Sequence, residues 1–215
     1  GLFGVVNKVV STSKLQEDKH LAELKIICLV LKHDKQAVDF LKNKTYQEEM
    51  DFLVSNEKRN KYIRNLCVDL KGNTLCLFQY VEKHGEVLYP MLDGRVKDLH
   101  YVYGGTDTED REKVRELVEK SKDSVILASY GTFSTGINIK RIDNVVFASP
   151  SKSKIRNLQS IGRGLRKTDG KDSMRLFDIA DDLQCDNFTL SHLKERINTY
   201  NEENFPYELN QFELK

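Results

Sequence analysis

From residue 72 onward, short apolar runs alternate with longer stretches in which apolar residues recur every three or four positions. The short runs, over 74–79, 99–103, 125–128, 145–148 and 173–179, have strand length and are rich in β-branched and aromatic residues. The longer stretches, over 84–92, 107–119, 155–165 and 187–200, predict amphipathic helices. Ahead of them, residues 24–32 form another apolar, β-branched run. From Thr45 to about Leu70, charges interleave with Met50, Leu53, Ile63 and Leu66 at near-helical spacing. That segment predicts two helices broken near Ser55-Asn56, and beyond Asn204 the pattern predicts nothing. Strands alternating with helices imply an α/β fold: a parallel sheet with helices on both faces, here preceded by a helical segment.

Composition narrows the partners. Thirty-four Lys and Arg against 33 Asp and Glu leave a formal net charge of +1, which excludes a protein that grips nucleic acid by bulk charge. A local basic stripe remains open, and one exists: Lys152, Lys154, Arg156, Arg163, Arg166, Lys167 and Lys171 crowd one segment. The cysteines, Cys28, Cys67, Cys76 and Cys185, follow no C-x-x-C spacing and read as small hydrophobes of a reducing compartment. No apolar run approaches the roughly 18 residues of a membrane-spanning helix. These features set the expectation of a cytoplasmic chain with no membrane partner.

The most informative chemistry is Gln159-Ser160-Ile161-Gly162-Arg163-Gly164-Leu165-Arg166. Two arginines three apart share one helix face, and a guanidinium stays charged while offering a planar fork suited to phosphate oxygens. Two arginines alone are the mark of a solvated face; the whole Q-x-x-G-R-x-x-R spacing is more selective. It resembles motif VI of the superfamily 2 helicases. That resemblance implies a RecA-like fold, with ATP and Mg²⁺ held between two motor domains of which this chain is the second. It implies Arg166 as the arginine finger, Arg163 as a second γ-phosphate contact and Gln159 as their polar neighbour. Gly164 departs from a good helix former, at about 1 kcal/mol against alanine.

Other stretches fall in the order the resemblance requires. Residues 128–138 are similar to motif V, with Ser134, Thr135 and the Gly136 backbone N–H as phosphate donors, and Gly136 also beside ATP. Leu77-Phe78-Gln79-Tyr80 with His84-Gly85 resembles motif IV, and Tyr103-Gly104-Gly105-Thr106 the adjoining backbone-contacting turn. The candidate DNA-binding set is therefore Phe78, Gln79, His84, Gly104, Gly105, Ser134, Thr135, Lys152 and Lys154. Within it Phe78 is more readily a core residue than a stacking one, and His84 more readily a helix-start residue than a catalytic one. Within the superfamily, Gly1-Leu2-Phe3-Gly4, 44–49, 58–61, 128–137 and 153–155 are similar to the recombination helicases of bacteriophages. That likeness implies branched DNA as substrate.

A complete motor needs a G-x-x-x-x-G-K-[ST] loop and a D-E-x-[DH] strand end, and neither is present. The chain alone is therefore expected not to hydrolyse ATP. Lacking an initiator methionine, Gly1-Leu2-Phe3-Gly4 resembles the end of a first motor domain. The expected layout is a junction over 1–23, the second RecA-like domain over 24–186 and a C-terminal helical tail over 187–215. Partners implied are DNA, single-stranded and branched, and the first RecA-like domain of the same parent chain. The alternatives are the motor half of a restriction translocase and a free-standing nucleic-acid-binding module.

Overall fold

Alternation along the strands sorts the apolar residues into two cores, one on each face of a single sheet. In β3 (Thr74–Phe78), Leu75 and Leu77 face one way, Cys76 and Phe78 the other, and all are fully buried. A strand buried on both faces is the signature of a parallel sheet with helices on each side. The computed structural model describes residues 5–10, 23–135, 141–152, 154–166 and 173–215, with side chains over 24–132, 141–152, 154–162 and 173–215.

The remaining elements follow in chain order. They are β1 (Val5–Val10), β2 (Glu23–Lys32), α1 (Lys35–Leu41), α2 (Tyr46–Ser55), α3 (Glu57–Asp69), α4 (Glu86–Leu92), β4 (Asp98–Val102), α5 (Thr108–Lys120), β5 (Ser124–Ser129), β6 (Asn144–Phe147), α6 (Lys154–Arg166), β7 (Ser173–Asp182), α7 (Phe188–Glu202) and β8 (Tyr207–Glu213). The sheet runs β1-β8-β2-β7-β6-β3-β5-β4, parallel throughout except for β1, which pairs antiparallel with β8 at one edge. One core joins Leu77, Ile126 and Phe147 to Val118 of α5, Leu158 and Ile161 of α6 and Leu193 and Tyr200 of α7. The other joins Phe78, Leu127 and Phe177 to Ile63 and Leu66 of α3 and Leu88 and Leu92 of α4.

Local signals explain the helix bounds. Thr45 and Glu48 form a reciprocal capping box at the start of α2. Asn56 ends α2 and begins α3, accepting the Arg59 N–H at 2.9 Å, which is the break expected near Ser55-Asn56. The helix expected over 84–92 is present as α4, entered through a π-helical turn over Val81–Gly85.

Three elements, β1, α1 and β8, lie outside the sequence reading. Helix α1 was not foreseen; Asp34 caps it through the Ala37 N–H at 2.9 Å. The expected helical tail is helix only as far as Glu202. Residues 207–213 form β8, inserted in the sheet between β2 and β1 in continuous register from Ile26↔Tyr207 to Lys32↔Glu213.

Candidate nucleotide and nucleic-acid site

The sheet delivers the loops after β3, β4, β5 and β6 to one edge, the carboxyl ends of its parallel strands, which is where open α/β sheets carry ligand sites. These loops carry the stretches singled out from sequence. Gln79 and Tyr80 follow β3, Gly104 and Gly105 follow β4, the 3₁₀ turn Tyr130–Thr135 follows β5, and Ser151 and Lys152 follow β6.

Ser149 fastens three of them together. Its hydroxyl accepts the Gln79 backbone N–H at 3.0 Å and bonds His84 Nδ1, while its carbonyl accepts the Tyr130 hydroxyl at 2.7 Å. The Ser151 hydroxyl adds a bond to Gln79 Oε1 at 2.8 Å. His84 continues inward to Asn60 Oδ1 at 2.9 Å, and Asn60 Nδ2 donates to the Val54 carbonyl at 2.9 Å. Burial, with Arg59 nearby, holds the His84 pKa well below its usual value. The ring is therefore neutral, with Nε2–H donating to Asn60 and Nδ1 accepting from Ser149.

Beneath the loops lie two buried charge clusters. Arg59 is fully buried; it donates from Nε and Nη2 to Asp181 at 2.9 and 3.2 Å and from Nη1 to the Ala148 carbonyl at 2.7 Å. His33 bonds the same carboxylate at 2.8 Å. Asp178 receives Arg196 from Nε and Nη2 at 2.8 and 3.0 Å, Lys154 Nζ at 3.2 Å and the Tyr200 hydroxyl. Burial pushes both carboxyls up, but the facing cations outweigh it. Arg196 and Lys154 hold Asp178 at about 2 against its usual 3.8, and Arg59 with His33 holds Asp181 lower still.

Because both pKa values are depressed in the folded chain, the stability these carboxylates contribute is complete above about pH 4 and fades as the pH falls toward 2. Lys154 acts in the opposite range. Burial lowers it from 10.5 to about 7, so between those values the unfolded chain binds the extra proton and stability rises with pH. Urea midpoints measured from pH 2 to pH 10 are expected to collapse below pH 4 and climb gently above pH 7. A midpoint flat from pH 5 down to pH 2 contradicts the assignment.

The structure corrects three of the candidate DNA contacts. Phe78 is fully buried, its ring 5.8 Å from that of Tyr101, and is unavailable for base stacking. His84 is also fully buried, with both ring nitrogens engaged. Lys154 is 1 % exposed and donates to Asp178 and, at 2.7 Å, to the Ile179 carbonyl, so it cannot meet a phosphate in solvent. Gln79, half-buried, and Gly104, Gly105 and Lys152, exposed, remain at the edge, with Lys152 Nζ 5.3 Å from the centre of the Tyr46 ring. Ser134 and Thr135 lie in the turn after β5, and Gly136 lies outside the described residues.

In α6 the buried row is Lys154, Leu158 and Ile161, and positions 159, 163 and 166 form a second row about two-fifths of a turn away. Gln159 is half-buried there; the side chains at 163 and 166 lie outside the described residues. Sequence reasoning missed Arg59, Ser149, Asp178, Asp181 and Arg196. The available signal was a pair of aspartates inside the apolar run 176–181, which a strand buried on both faces tolerates only with cations against them. Among the described residues no cluster of three His, Cys, Asp or Glu is arranged to hold a metal ion, and no helix is long and apolar enough to cross a membrane.

Comparison with known proteins agrees with this arrangement. The helicase conserved C-terminal domain family matches residues 57–168. The chain is 38% identical to the ATP-dependent DNA helicase uvsW of Enterobacteria phage T4, over 96% of this chain and 44% of that protein. It is 22% identical to the putative ATP-dependent helicase IRC3 of Saccharomyces cerevisiae, over 88% of this chain and 31% of that protein. The chain thus spans less than half the length of these relatives. Its fold superimposes on the crystal structure of T4 UvsW with a TM-score of 0.80 at 33% identity, covering 91% of this chain and 42% of that one. The C-terminal domain of the DEAD-box protein Dbp5, at 13% identity and a TM-score of 0.53, shares the fold alone. With the family match spanning α3 to α6 and the RecA-like sheet behind it, the chain belongs to the superfamily 2 helicases as a helicase C-terminal domain.

Proposed function

We propose that this chain is the second motor domain of an ATP-dependent DNA helicase that unwinds or remodels branched DNA (junctions, forks and R-loops) in recombination and repair. The observation that carries the reading is the row 159, 163, 166 on α6, in a sheet whose carboxyl edge also gathers the loops after β3, β4 and β5. Arg163 and Arg166 close on the γ-phosphate of ATP, which the first motor domain of the parent chain holds with Mg²⁺. ATP supplies the free energy of its hydrolysis; the arginines offset charge developing on the transferred phosphoryl group. Gln79, Gly104, Gly105, Ser134, Thr135 and Lys152 meet the DNA backbone, and closure of the cleft moves that surface along one strand.

The bonds through Ser149 support concerted movement, because they join the loops after β3, β5 and β6 into one body. Branched DNA as substrate rests on the likeness to the phage helicase. Its test is strand separation by the parent protein on a synthetic four-way junction and on a blunt linear duplex of equal length. The expected result is ATP-dependent unwinding of the junction at rates well above the linear duplex. Equal rates on both, or none on the junction at saturating ATP, would remove the branched-DNA assignment.

A further inference from the structure

Motif VI is seated by residues beyond the family match at 57–168. Gly162 lies in the middle of α6, and a Cβ built there would stand 2.6 Å from Phe205 Cζ, inside any real carbon contact. The Phe205 ring therefore fills the place a side chain at 162 would take. Phe205 is 5 % exposed and packs in one core with Leu158, Ile161, Leu193, Tyr200 and Tyr207. Its backbone N–H donates to the Tyr200 carbonyl at 2.8 Å, which ties the main chain at 205 back to α7. The same region holds the other end of α6. Asp178, which receives Arg196 and Tyr200 from α7, also receives Lys154, the first residue of α6.

We infer that Phe205 is a positioning residue for motif VI: with its ring against Gly162, and α7 holding Lys154 through Asp178, it sets where positions 163 and 166 stand in the cleft. This inference rests on the arginine-finger reading. It adds that the segment after α7, which supplies no motif, determines how well the arginines reach the transition state. A catalytic group misplaced by about 1 Å costs on the order of 100-fold in rate. The arginines act chiefly on charge that develops in the transition state, so the defect falls on kcat.

The test is a double-mutant cycle in the parent protein using Phe205→Leu, Gly162→Ala and their combination, with kcat and KM for ATP, DNA affinity and thermal melting read for each. Phe205→Leu is the milder truncation and keeps the fold measurable. Each single variant is expected to lower kcat roughly 10- to 100-fold, with KM for ATP and DNA affinity nearly unchanged. The combination is expected to recover part of that loss, because a shorter side chain at 205 makes room for the new methyl group. Two outcomes overturn the inference: strictly multiplicative losses in kcat, or single variants whose kcat is intact. Arg166→Ala run alongside separates the two ideas, since loss of turnover in Arg166→Ala with no coupling at 162 and 205 removes only the positioning role.

Discussion

Replacing Asp178 with alanine is expected to destabilise the fold by about 3–5 kcal/mol, the cost of leaving buried charges uncompensated. The carboxylate is fully buried and serves three donors from two elements: Arg196 and Tyr200 of α7 and Lys154 of α6. Arg196 cannot shed its proton, so its charge would remain in the core. Lys154 can, its pKa already being about 7. Lys154→Met should therefore be far milder than Asp178→Ala, since Asp178 keeps Arg196 and Tyr200. Typical domain stability is about 5–15 kcal/mol, so Asp178→Ala removes a large share of it. Urea denaturation of the two variants and the parent sequence checks this; equal midpoints for Asp178→Ala and Lys154→Met would show that Asp178 is not the hub.

The same cluster shows what was legible in the sequence. Strands β3 to β6 and helices α2, α3, α5, α6 and α7 follow from local pattern, because each carries its own apolar period, and α2 and α3 carry side-chain caps as well. β8 does not. Tyr-Glu-Leu-Asn-Gln-Phe-Glu has no clean alternation, and its conformation comes from the ladder to β2, about 180 residues earlier in the chain. β7 reads as ending near Ile179 because two aspartates follow; it runs on to Asp182, with the Asp181 carboxylate paired with Arg59 and hydrogen-bonded to His33.

Site residues divide along the same line. Motif resemblance located the loops but not which way side chains point. Phe78 and Lys154 fall at strand and helix ends beside the edge, yet both turn into the sheet, toward apolar packing and toward Asp178. His84 faces inward because its π-turn presses Gly85 against Phe78 and Tyr101, where a Cβ would come within 2.7 Å of both. Gln79, Gly104, Gly105 and Lys152 keep solvent access because they sit in the loops themselves.

The central claim is that α6 delivers an arginine to ATP held by another domain. The most direct measurement is DNA-stimulated ATP hydrolysis by the parent protein, compared with Arg166→Ala under saturating ATP and DNA. An arginine finger contributes about 10³–10⁵ in rate, so turnover should fall by that order, while DNA affinity, which the proposal assigns to the loops at the sheet edge, should be largely kept. Position 166 ends the row that begins at Gln159, four and then three residues apart, so Arg163→Ala should show a smaller loss of the same kind. If Arg166→Ala turns over ATP at nearly the parent rate, α6 does not reach the nucleotide, and the chain is a nucleic-acid-binding module rather than half of a motor.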